Sequence, residues 1–354
     1  MSDELIDWSA LAKAYEQDGV YAVQLEVGDL CNQGCSYCYA NALPTVRNEL
    51  TDEDVEGVLR DASALGATAI EWLGGEPLLR PSVFEHMELA RELGLRNNVW
   101  TGGLPLADPD VRKEVARLAR PGLVSIHVPT VNPELWERLH PGRTAADLEA
   151  ILAGLRALVD EEGYPASQVL NSTTFTGLQP VEDAMATMDF FKEMGVATSL
   201  NVYHTYLRPG TPPGELAKFI PKRRDVATLY AHYARMQGAR QLPMNCVNQQ
   251  YCSATCAVLC DGSVTPCATI RDPSAPKLGR DGTLAQILEN YRNYLLVLEL
   301  KDVSRRPKPC ASCRLAGECW GCRSRAYAAG NGLLGADPRC FRSGSRLGSS
   351  STPP

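Results

Sequence analysis

A chain of 354 residues, 44% of them hydrophobic, can bury a full core, and its length favours one large domain with a smaller one. The formal net charge of -7 offers no basic footprint for a phosphate backbone, which argues against nucleic acid as a partner. No secretory signal begins the chain, and no apolar run reaches the roughly twenty residues that a membrane helix needs. We therefore expect a cytoplasmic protein with no membrane partner, whose thirteen cysteines are metal ligands or free thiols rather than disulfides.

Short strand-like runs alternate with helical stretches between residues 21 and 210, a pattern typical of parallel sheets joined by crossover helices. The predicted strands are Ala22–Val27, Ala69–Leu73, Asn98–Thr101, Leu123–Val128, Val169–Phe175 and Thr198–Tyr206. The clearest predicted helices are Thr51–Gly66, Pro81–Leu93, Leu148–Val159 and Leu284–Leu296. Six strand–helix units predict an α/β fold with a partial (β/α)6 TIM-like barrel rather than a complete one.

Composition divides the chain into five segments. They are an N-terminal helical extension (1–20), the barrel (21–210), a linking helical segment (211–244), a cysteine-rich domain (245–343) and a flexible tail (344–354). The Pro- and Gly-rich stretch Arg208–Gly214 marks the exit from the barrel. The tail is small and polar and cannot bury enough apolar surface to order itself.

Three cysteines, Cys31, Cys35 and Cys38, follow the first predicted strand, where the loops of parallel barrels carry their chemistry. Thiolates are the ligands of iron–sulfur clusters, and three of them leave one iron open for an exchangeable ligand. A zinc site or a chance cluster is the alternative for these three residues alone. The spacing Cys-x3-Cys-x2-Cys, with Tyr37 before the last cysteine, resembles the [4Fe-4S] signature of the radical S-adenosylmethionine (SAM) superfamily.

The second predicted strand is followed by Gly74, Gly75, Glu76 and Pro77. Glycines let a backbone approach a ligand closely, and a glutamate can pair with an ammonium group, although an ordinary strand–helix turn has the same composition. The segment resembles the one that holds the methionine amino group of SAM in the radical SAM family. That resemblance implies a one-electron reduction of cluster-bound SAM, fed by an external donor such as flavodoxin or ferredoxin. The resulting 5′-deoxyadenosyl radical abstracts hydrogen from the substrate.

Ten of the thirteen cysteines lie between Cys246 and Cys340, and their spacing resembles the SPASM domain, an auxiliary-cluster extension of radical SAM enzymes. The resemblance implies two further [4Fe-4S] clusters, hence three in all, one held by Cys246, Cys252, Cys267 and Cys322 and the other by Cys310, Cys313, Cys319 and Cys340. One departure is the two-residue gap between Cys319 and Cys322, where the family usually has three. Without the family, paired Cys-x2-Cys steps fit a zinc ribbon as well as iron–sulfur.

Several further residues are candidates for cofactor or substrate contacts. Strand alternation predicts that Gln24 and Glu26 face the barrel interior. The candidates are Tyr37, Ser125 and Asn171 for the cofactor, and His127, Tyr203, Cys256 and Cys260 for catalysis, with His204 and Arg208 next. The alternative for each polar residue is a structural hydrogen bond, and for Cys256 and Cys260 a buried free thiol.

Two enzymatic hypotheses fit this pattern. The first is dehydrogenation, decarboxylation or epimerisation of a small polar metabolite such as a sugar, aminocyclitol or nucleoside. It is favoured by the polar interior and by the thirty residues before Cys31, too few for a fused leader-peptide recognition domain. The alternative is a peptide or protein modifier that forms a thioether, a carbon–carbon link or an oxidised side chain. The sulfatase-maturing group has the nearest cysteine pattern, but its acidic residue after the equivalent of Cys267 is Ala268 here. A non-enzymatic zinc scaffold is the third hypothesis, and it predicts a protein without iron.

Overall fold

The computed structural model of the chain describes residues 5–40, 42, 44, 49–203, 213–238, 242, 244–340 and 342. The described part is built on one mostly parallel sheet, which confirms the predicted α/β class. Its strands are β1 (Ala22–Glu26), β2 (Ala69–Leu73), β3 (Arg96–Thr101), β4 (Val124–Ile126), β5 (Val169–Phe175), β6 (Ala197–Val202), β7 (Thr255–Val258) and β8 (Val264–Thr265). The end of the strand predicted to reach Tyr206, as well as His204, Arg208 and the tail from 344, lie outside the described residues.

The strand order within the described sheet is β6-β5-β4-β3-β2-β1-β7-β8. The first six strands along the chain are the six that hydrophobic patterning predicted, and they pair in parallel in sequence order. The sequence did not predict β7, which pairs in parallel with β1, or β8, which pairs antiparallel with β7. The sheet therefore runs from the barrel into the cysteine-rich segment without a break.

Helices connect the successive barrel strands and cover the outer face of the sheet, and further helices precede the sheet or follow it in the chain. Those of the described residues are α1 (Trp8–Glu16), α2 (Asp52–Ala64), α3 (Val83–Glu92), α4 (Pro109–Leu118), α5 (Pro133–Leu139), α6 (Ala145–Asp160), α7 (Val181–Glu193), α8 (Pro213–Leu216), α9 (Arg223–Gln237), α10 (Gln249–Ser253), α11 (Leu284–Leu295), α12 (Lys308–Ala311) and α13 (Arg323–Ala328). None of them is both long enough and apolar enough to cross a membrane.

Side-chain caps fix where the predicted helices begin. Helix α2 starts after Thr51, whose hydroxyl accepts from the Asp54 amide at 3.1 Å while the Asp54 carboxylate accepts from the Thr51 amide at 3.3 Å. Helix α6 begins three residues before the predicted Leu148, because Thr144 and Asp147 form the same reciprocal cap. Polar capping residues thus extend this helix beyond its apolar stripe.

The two faces of the sheet differ in polarity. Val23 and Leu25 of β1 are fully buried in the core beneath the helices. The alternate residues Gln24 and Glu26 face the barrel interior, as predicted from strand alternation. Glu71 lies beside Gln24 in the register of β1 and β2, and paired residues of a parallel sheet share a face. The interior is therefore polar at its centre while the outer face is apolar.

Candidate cofactor site and auxiliary thiol sets

The loop after β1 gathers Cys31, Cys35 and Cys38. The backbone amide of Gln33 donates to the sulfur of Cys31 at 3.5 Å, and the thiol of Cys35 donates to the Gln33 side-chain oxygen at 3.5 Å. Burial raises the pKa of Cys31 to about 12, and the charge of Glu76 adds to the rise. Burial also raises the pKa of Cys35, as do the charges of Cys38 and Cys31. The charge of Cys38 acts on both of the other thiols, so the three lie close together, and they fit the donor set of a cluster, because bound iron stabilises thiolate forms.

Gly74 and Gly75 press directly against the start of this loop. The amide of Gly75 donates to the Gly28 carbonyl at 2.8 Å. A Cβ atom on Gly74 would lie 2.4 Å from the Gly28 carbonyl oxygen, and one on Gly75 would lie 2.2 Å from that of Leu30. Both glycines are thus required by the close approach of two protein backbones. They position the cysteine loop relative to β2.

The carboxylate of Glu76 is buried and accepts three hydrogen bonds. One oxygen accepts from the Thr101 hydroxyl at 2.8 Å and from the Gly102 amide at 2.7 Å, and the other accepts from the Leu78 amide at 3.2 Å. Burial raises the pKa of Glu76 to about 7, and the three donors oppose that rise. Glu76 therefore ties the end of β2 to the end of β3, and Pro77 begins the short 3-10 turn that follows it.

Gln33 is a structural element of the cysteine loop that the sequence analysis did not single out. Its side-chain amide donates to the Gly102 carbonyl at 3.1 Å and to the His127 carbonyl at 2.8 Å. These carbonyls follow β3 and β4, so one glutamine anchors the loop to two strand ends. A lone glutamine in a loop has no local pattern that could have indicated this role.

His127 connects the cysteine loop to β5. Its Nδ1 lies 2.7 Å from the Ser172 carbonyl oxygen, which only accepts, so Nδ1 carries the ring proton. Nε2 then accepts from the Tyr37 hydroxyl at 2.7 Å. Burial lowers the pKa of His127 to about 4, which keeps the ring neutral near pH 7. Because protein groups engage both nitrogens, this geometry favours the structural alternative over the predicted acid–base role.

A second histidine, His140, joins the side-chain cluster of Tyr37 and His127, with its ring centroid 6.0 Å from that of Tyr37, and it was not predicted. Its ring stacks on Trp136 with centroids 3.8 Å apart, and burial lowers its pKa to about 3, as does the charge of His127. In the described part of the chain, Cys35, His127 and His140 are the one group of three or more potential metal-binding side chains whose ligand atoms all lie within 4.8 Å of one another. Tyr203 is buried nearby, with its ring 5.6 Å from that of Phe219.

The two remaining cofactor candidates occupy opposite faces of the sheet. Ser125 is buried on the interior face, and its hydroxyl has no hydrogen-bond partner within the described residues. Asn171 lies in register with Ile126 on the helix-covered face. Its amide accepts from the Val128 amide and donates to the Val128 carbonyl, both at 3.0 Å. The prediction for Asn171 is corrected accordingly: it joins β4 to β5 and does not face the interior.

The two unassigned thiols, Cys256 and Cys260, have different surroundings. Cys256 lies beside Val23 in the apolar core, and burial raises its pKa to about 12. This placement is the buried-thiol alternative, and it leaves Cys256 no route to the interior. Cys260 follows β7, where burial raises its pKa to about 12 and the charges of Glu26 and Arg271 act on it. Its catalytic role stays a prediction.

A buried ion pair joins the barrel interior to the cysteine-rich segment. The guanidinium of Arg271 donates to both carboxylate oxygens of Glu26 at 2.6 and 2.8 Å. The two residues are 245 positions apart in sequence. Such bidentate geometry fixes orientation as well as distance.

A second connection between the barrel interior and the cysteine-rich segment lies next to Cys267. The side-chain oxygen of Gln24 accepts from the Ala268 amide at 3.0 Å, and its amide nitrogen donates to Glu71 at 2.9 Å. Tyr251 also donates to the Glu71 carboxylate, whose pKa is raised by burial. The interior residues of β1 and β2 thus contact the segments that carry Cys252 and Cys267.

The carboxyl-terminal thiols form two groups, which we name the first and second auxiliary thiol sets. The first consists of Cys246, Cys252, Cys267 and Cys322. The pKa of Cys246 is raised well above its usual range by a hydrogen bond with Cys252, by burial and by the charges of the other three members. Four thiols close enough to influence one another in this way fit the donor set of a four-thiolate cluster.

The second auxiliary thiol set consists of Cys310, Cys313, Cys319 and Cys340. Burial raises the pKa of Cys319 to about 12, and the charges of Cys340 and Cys310 contribute. Burial also raises the pKa of Cys310, with contributions from Cys340 and Cys313. These groupings are the same as those that the SPASM resemblance implies. The short gap between Cys319 and Cys322 does not prevent the two residues from joining different sets.

The two sets are linked by an ion pair that is almost entirely shielded from solvent. The Asp337 carboxylate accepts from the Arg325 guanidinium at 2.7 and 3.1 Å and from the Cys322 amide at 3.0 Å. The exposed fractions of the Arg325 and Asp337 side chains are 1% and 0%. The Asp337 carbonyl also accepts from the Cys340 amide at 3.3 Å. One aspartate therefore contacts a member of each set.

This fold and these thiol groupings place the chain in a known superfamily. Residues 25–220 match the Radical SAM superfamily model, which is more than half of the chain, so the protein belongs to that superfamily. Membership identifies an enzyme that binds SAM and a [4Fe-4S] cluster, as predicted.

Curated relatives extend over most of the chain. The AdoMet-dependent heme synthase of Methanosarcina barkeri is 26% identical and aligns with 88% of this chain and 93% of its own. The PqqA peptide cyclase of Xanthomonas campestris pv. campestris is 27% identical and aligns with 92% of this chain and 88% of its own.

Solved structures share the whole fold. SuiB of Streptococcus suis bound to S-adenosylmethionine has a TM-score of 0.67 and 16% identity, and the match covers 94% of this chain and 80% of that one. SuiB has also been solved bound to its precursor peptide SuiA, with a TM-score of 0.65. The likeness covers both the barrel and the cysteine-rich segment, which confirms the predicted resemblance to SPASM-type radical SAM enzymes.

Proposed function

We propose that this protein is a radical SAM enzyme that oxidatively modifies a peptide, forming a crosslink or an oxidised side chain. The observation that carries the proposal is the 27% identity with a PqqA peptide cyclase along 92% of the chain. A SuiB structure of the same fold is occupied by a precursor peptide. The peptide alternative is thus better supported than the small-metabolite hypothesis.

Cys31, Cys35 and Cys38 would hold the SAM-binding cluster, and when bound the cluster and SAM supply a hydrogen-abstracting 5′-deoxyadenosyl radical. Gly74 and Gly75 position the cysteine loop, as their backbone contacts with Gly28 and Leu30 indicate. Ser125 has a buried hydroxyl without a protein partner on the interior face, which suits a polar group of the cofactor. Tyr37 lies in the cysteine loop, and its hydroxyl donates to the neutral ring of His127 at 2.7 Å.

The two auxiliary thiol sets would hold one [4Fe-4S] cluster each. The segments that carry Cys252 and Cys267 of the first set contact Gln24 and Glu71, which supports an electron-accepting role for that set, because these residues line the interior in which a substrate radical must lose an electron. Reducing equivalents for SAM cleavage would come from an external donor such as flavodoxin or ferredoxin. Ala268 replaces the acidic residue of the sulfatase-maturing pattern, so proton removal at that position is not part of the proposal.

A second candidate is modification of a non-peptide metabolite. The observation that favours it is the 26% identity with an AdoMet-dependent heme synthase along 88% of the chain. The polar interior face of β1 and β2 is compatible with either class of substrate.

Deuterium transfer distinguishes the two candidates. Extract of the source cells grown in deuterated medium is separated into a peptide fraction and a small-molecule fraction, and each is incubated with anaerobically reconstituted enzyme, SAM and dithionite. We expect deuterium in 5′-deoxyadenosine from the peptide fraction, and loss of the signal after that fraction is digested with protease. Transfer from the small-molecule fraction alone would replace our proposal with the second candidate. The Cys35→Ala variant provides the background.

A further inference from the structure

Arg323, the first residue of α13, carries a buried guanidinium group bonded to backbone carbonyls. Nη1 donates to Leu333 at 2.7 Å and to Gly335 at 2.8 Å, and Nε donates to Gly321 at 3.3 Å. Nη2 donates to Trp320. The side chain is 1% exposed.

The four carbonyls belong to the two loops that join the auxiliary thiol sets. Trp320 and Gly321 separate Cys319 of the second set from Cys322 of the first. Leu333 and Gly335 lie in the loop that leads to the last cysteine of the second set. The guanidinium therefore occupies the junction of both sets.

No carboxylate of the described residues forms an ion pair with Arg323. The neighbouring Arg325 is neutralised by Asp337 at 2.7 Å, whereas no ion pair of the described chain includes Arg323. A buried cation without a counter-ion is costly, because desolvation is not repaid by carbonyl dipoles alone. Anionic thiolate sites on either side would provide the missing compensation.

Arg323 lies beside members of both sets. It directly follows Cys322 of the first set, and its Nη2 donates to the Trp320 carbonyl. The thiol of Cys310 in the second set donates to the same carbonyl at 3.9 Å. A guanidinium in this position favours negative charge on both sides.

We infer that Arg323 is a positioning residue that serves as the shared counter-charge of the two auxiliary sites and makes both easier to reduce. The inference rests on the proposed occupation of both sets by [4Fe-4S] clusters. Adding an electron to either cluster increases negative charge near a fixed buried cation, and such interactions are little screened by solvent. Cluster potentials respond to nearby charge and hydrogen bonds.

Redox titration of the anaerobically reconstituted full chain, followed by electron paramagnetic resonance, tests this role. In Arg323→Gln, we expect about a tenfold fall in the one-electron reduction constant of both auxiliary clusters, which corresponds to about 59 mV toward lower potential. Arg323→Lys should retain potentials close to those of the wild type. The SAM-binding cluster should be unchanged in both variants.

Arg306→Gln is the matched control. Arg306 is also buried and donates to the carbonyls of Leu300 and Ala316. Its guanidinium lies 5.9 Å from the centre of the Trp320 ring, but it donates to none of the four carbonyls in the loops that join the sets. Auxiliary potentials should therefore move less in this variant than in Arg323→Gln. An equal shift in Arg306→Gln would overturn the specific role of Arg323.

The iron content separates failure of this inference from failure of the proposed function. Wild-type protein that binds about four irons rather than about twelve lacks auxiliary clusters, which contradicts the proposed function itself. About twelve irons with unchanged potentials in Arg323→Gln would overturn only the counter-charge role. If Arg323→Gln does not retain iron, Arg323→Lys decides: normal iron and potentials support the role of charge, and iron loss shows that the guanidinium is only a scaffold.

Discussion

The amino-terminal cysteine loop and the carboxyl-terminal thiol sets are held in place by different kinds of interaction. The loop rests on backbone contacts and neutral groups, namely Gly75 against Leu30 and the amide of Gln33. The thiol sets are surrounded by buried arginines and by the Arg325–Asp337 ion pair. The cysteine loop, proposed to receive a charged and exchangeable cofactor, is thus held mainly by uncharged groups. The four-thiol sets, in contrast, are stabilised by buried charged side chains.

The largest effect should come from the cysteine loop itself. Cys35→Ala removes one of the three proposed ligands of the SAM-binding cluster, so we expect about four fewer irons per chain and no formation of 5′-deoxyadenosine. Cys256→Ala makes the same change in the apolar core. It should retain all iron and activity while lowering the free energy of unfolding by about 1 kcal/mol. Iron analysis and product chromatography measure both variants. Equal iron content and equal 5′-deoxyadenosine formation in the two would contradict the distinct roles of Cys35 and Cys256.

Breaking the buried ion pair should be the next most severe change. Asp337→Asn leaves Arg325 charged and unpaired, so we expect the free energy of unfolding to fall by about 4 kcal/mol and auxiliary iron to be lost. Asp261→Asn disrupts a solvent-accessible pair with Lys277 in the same segment and should cost less than about 1 kcal/mol. Anaerobic denaturant titrations measure both. Similar losses would show that burial of charge is not what stabilises the thiol sets.

Because backbone contacts hold the cysteine loop in place, a side chain added at a contacting glycine should displace the loop. Gly75→Ala places a methyl group 2.2 Å from the Leu30 carbonyl oxygen. We expect a loss of about 3 kcal/mol in the free energy of unfolding and weaker SAM binding. Gly57→Ala, in α2 with no atom within 4 Å of the new carbon, should instead stabilise the protein by about 1 kcal/mol. Normal SAM affinity in Gly75→Ala would refute the backbone-contact account.

The smallest expected effect concerns pH and the buried carboxylate of Glu76, whose backbone amide donates to Leu30 in this loop. Burial raises the pKa of Glu76 to about 7, above its unfolded value of 4.5, so the folded state binds the extra proton. Its contribution to stability is therefore complete below pH 4.5 and is lost as the pH rises through 7. The free energy of unfolding of the wild type should fall by about 2 kcal/mol relative to Glu76→Gln between pH 5.5 and 7. A flat difference curve would show that Glu76 is ionised throughout.

Local patterns in the sequence were sufficient for the barrel. Each strand from β1 to β6 was predicted because β-rich apolar runs alternate with amphipathic helices. Among the described residues, these predicted and observed strands differ only at their ends. Strand β4 ends at Ile126 rather than Val128 because the Val128 amide donates to the side chain of Asn171.

Long-range contacts left no such signal. Glu26 and Arg271 pair across 245 positions, and neither the glutamate nor the arginine is unusual in its local context. Strands β7 and β8 have four and two residues, too few for a visible period, and they are recognisable only because β1 provides a partner. The cysteines were predicted from spacing, whereas the arginines that surround them could not be.

The pairing of β7 with β1 has a consequence for biosynthesis. Strand β1 emerges early, but its neighbour is made more than two hundred residues later, roughly ten to fifty seconds at ordinary ribosomal rates. During that interval one edge of β1 is an open template that can pair with another nascent chain. Slower initiation or a chaperone that covers this edge should therefore raise the yield of folded protein, and truncation before residue 255 should produce aggregates rather than a free barrel.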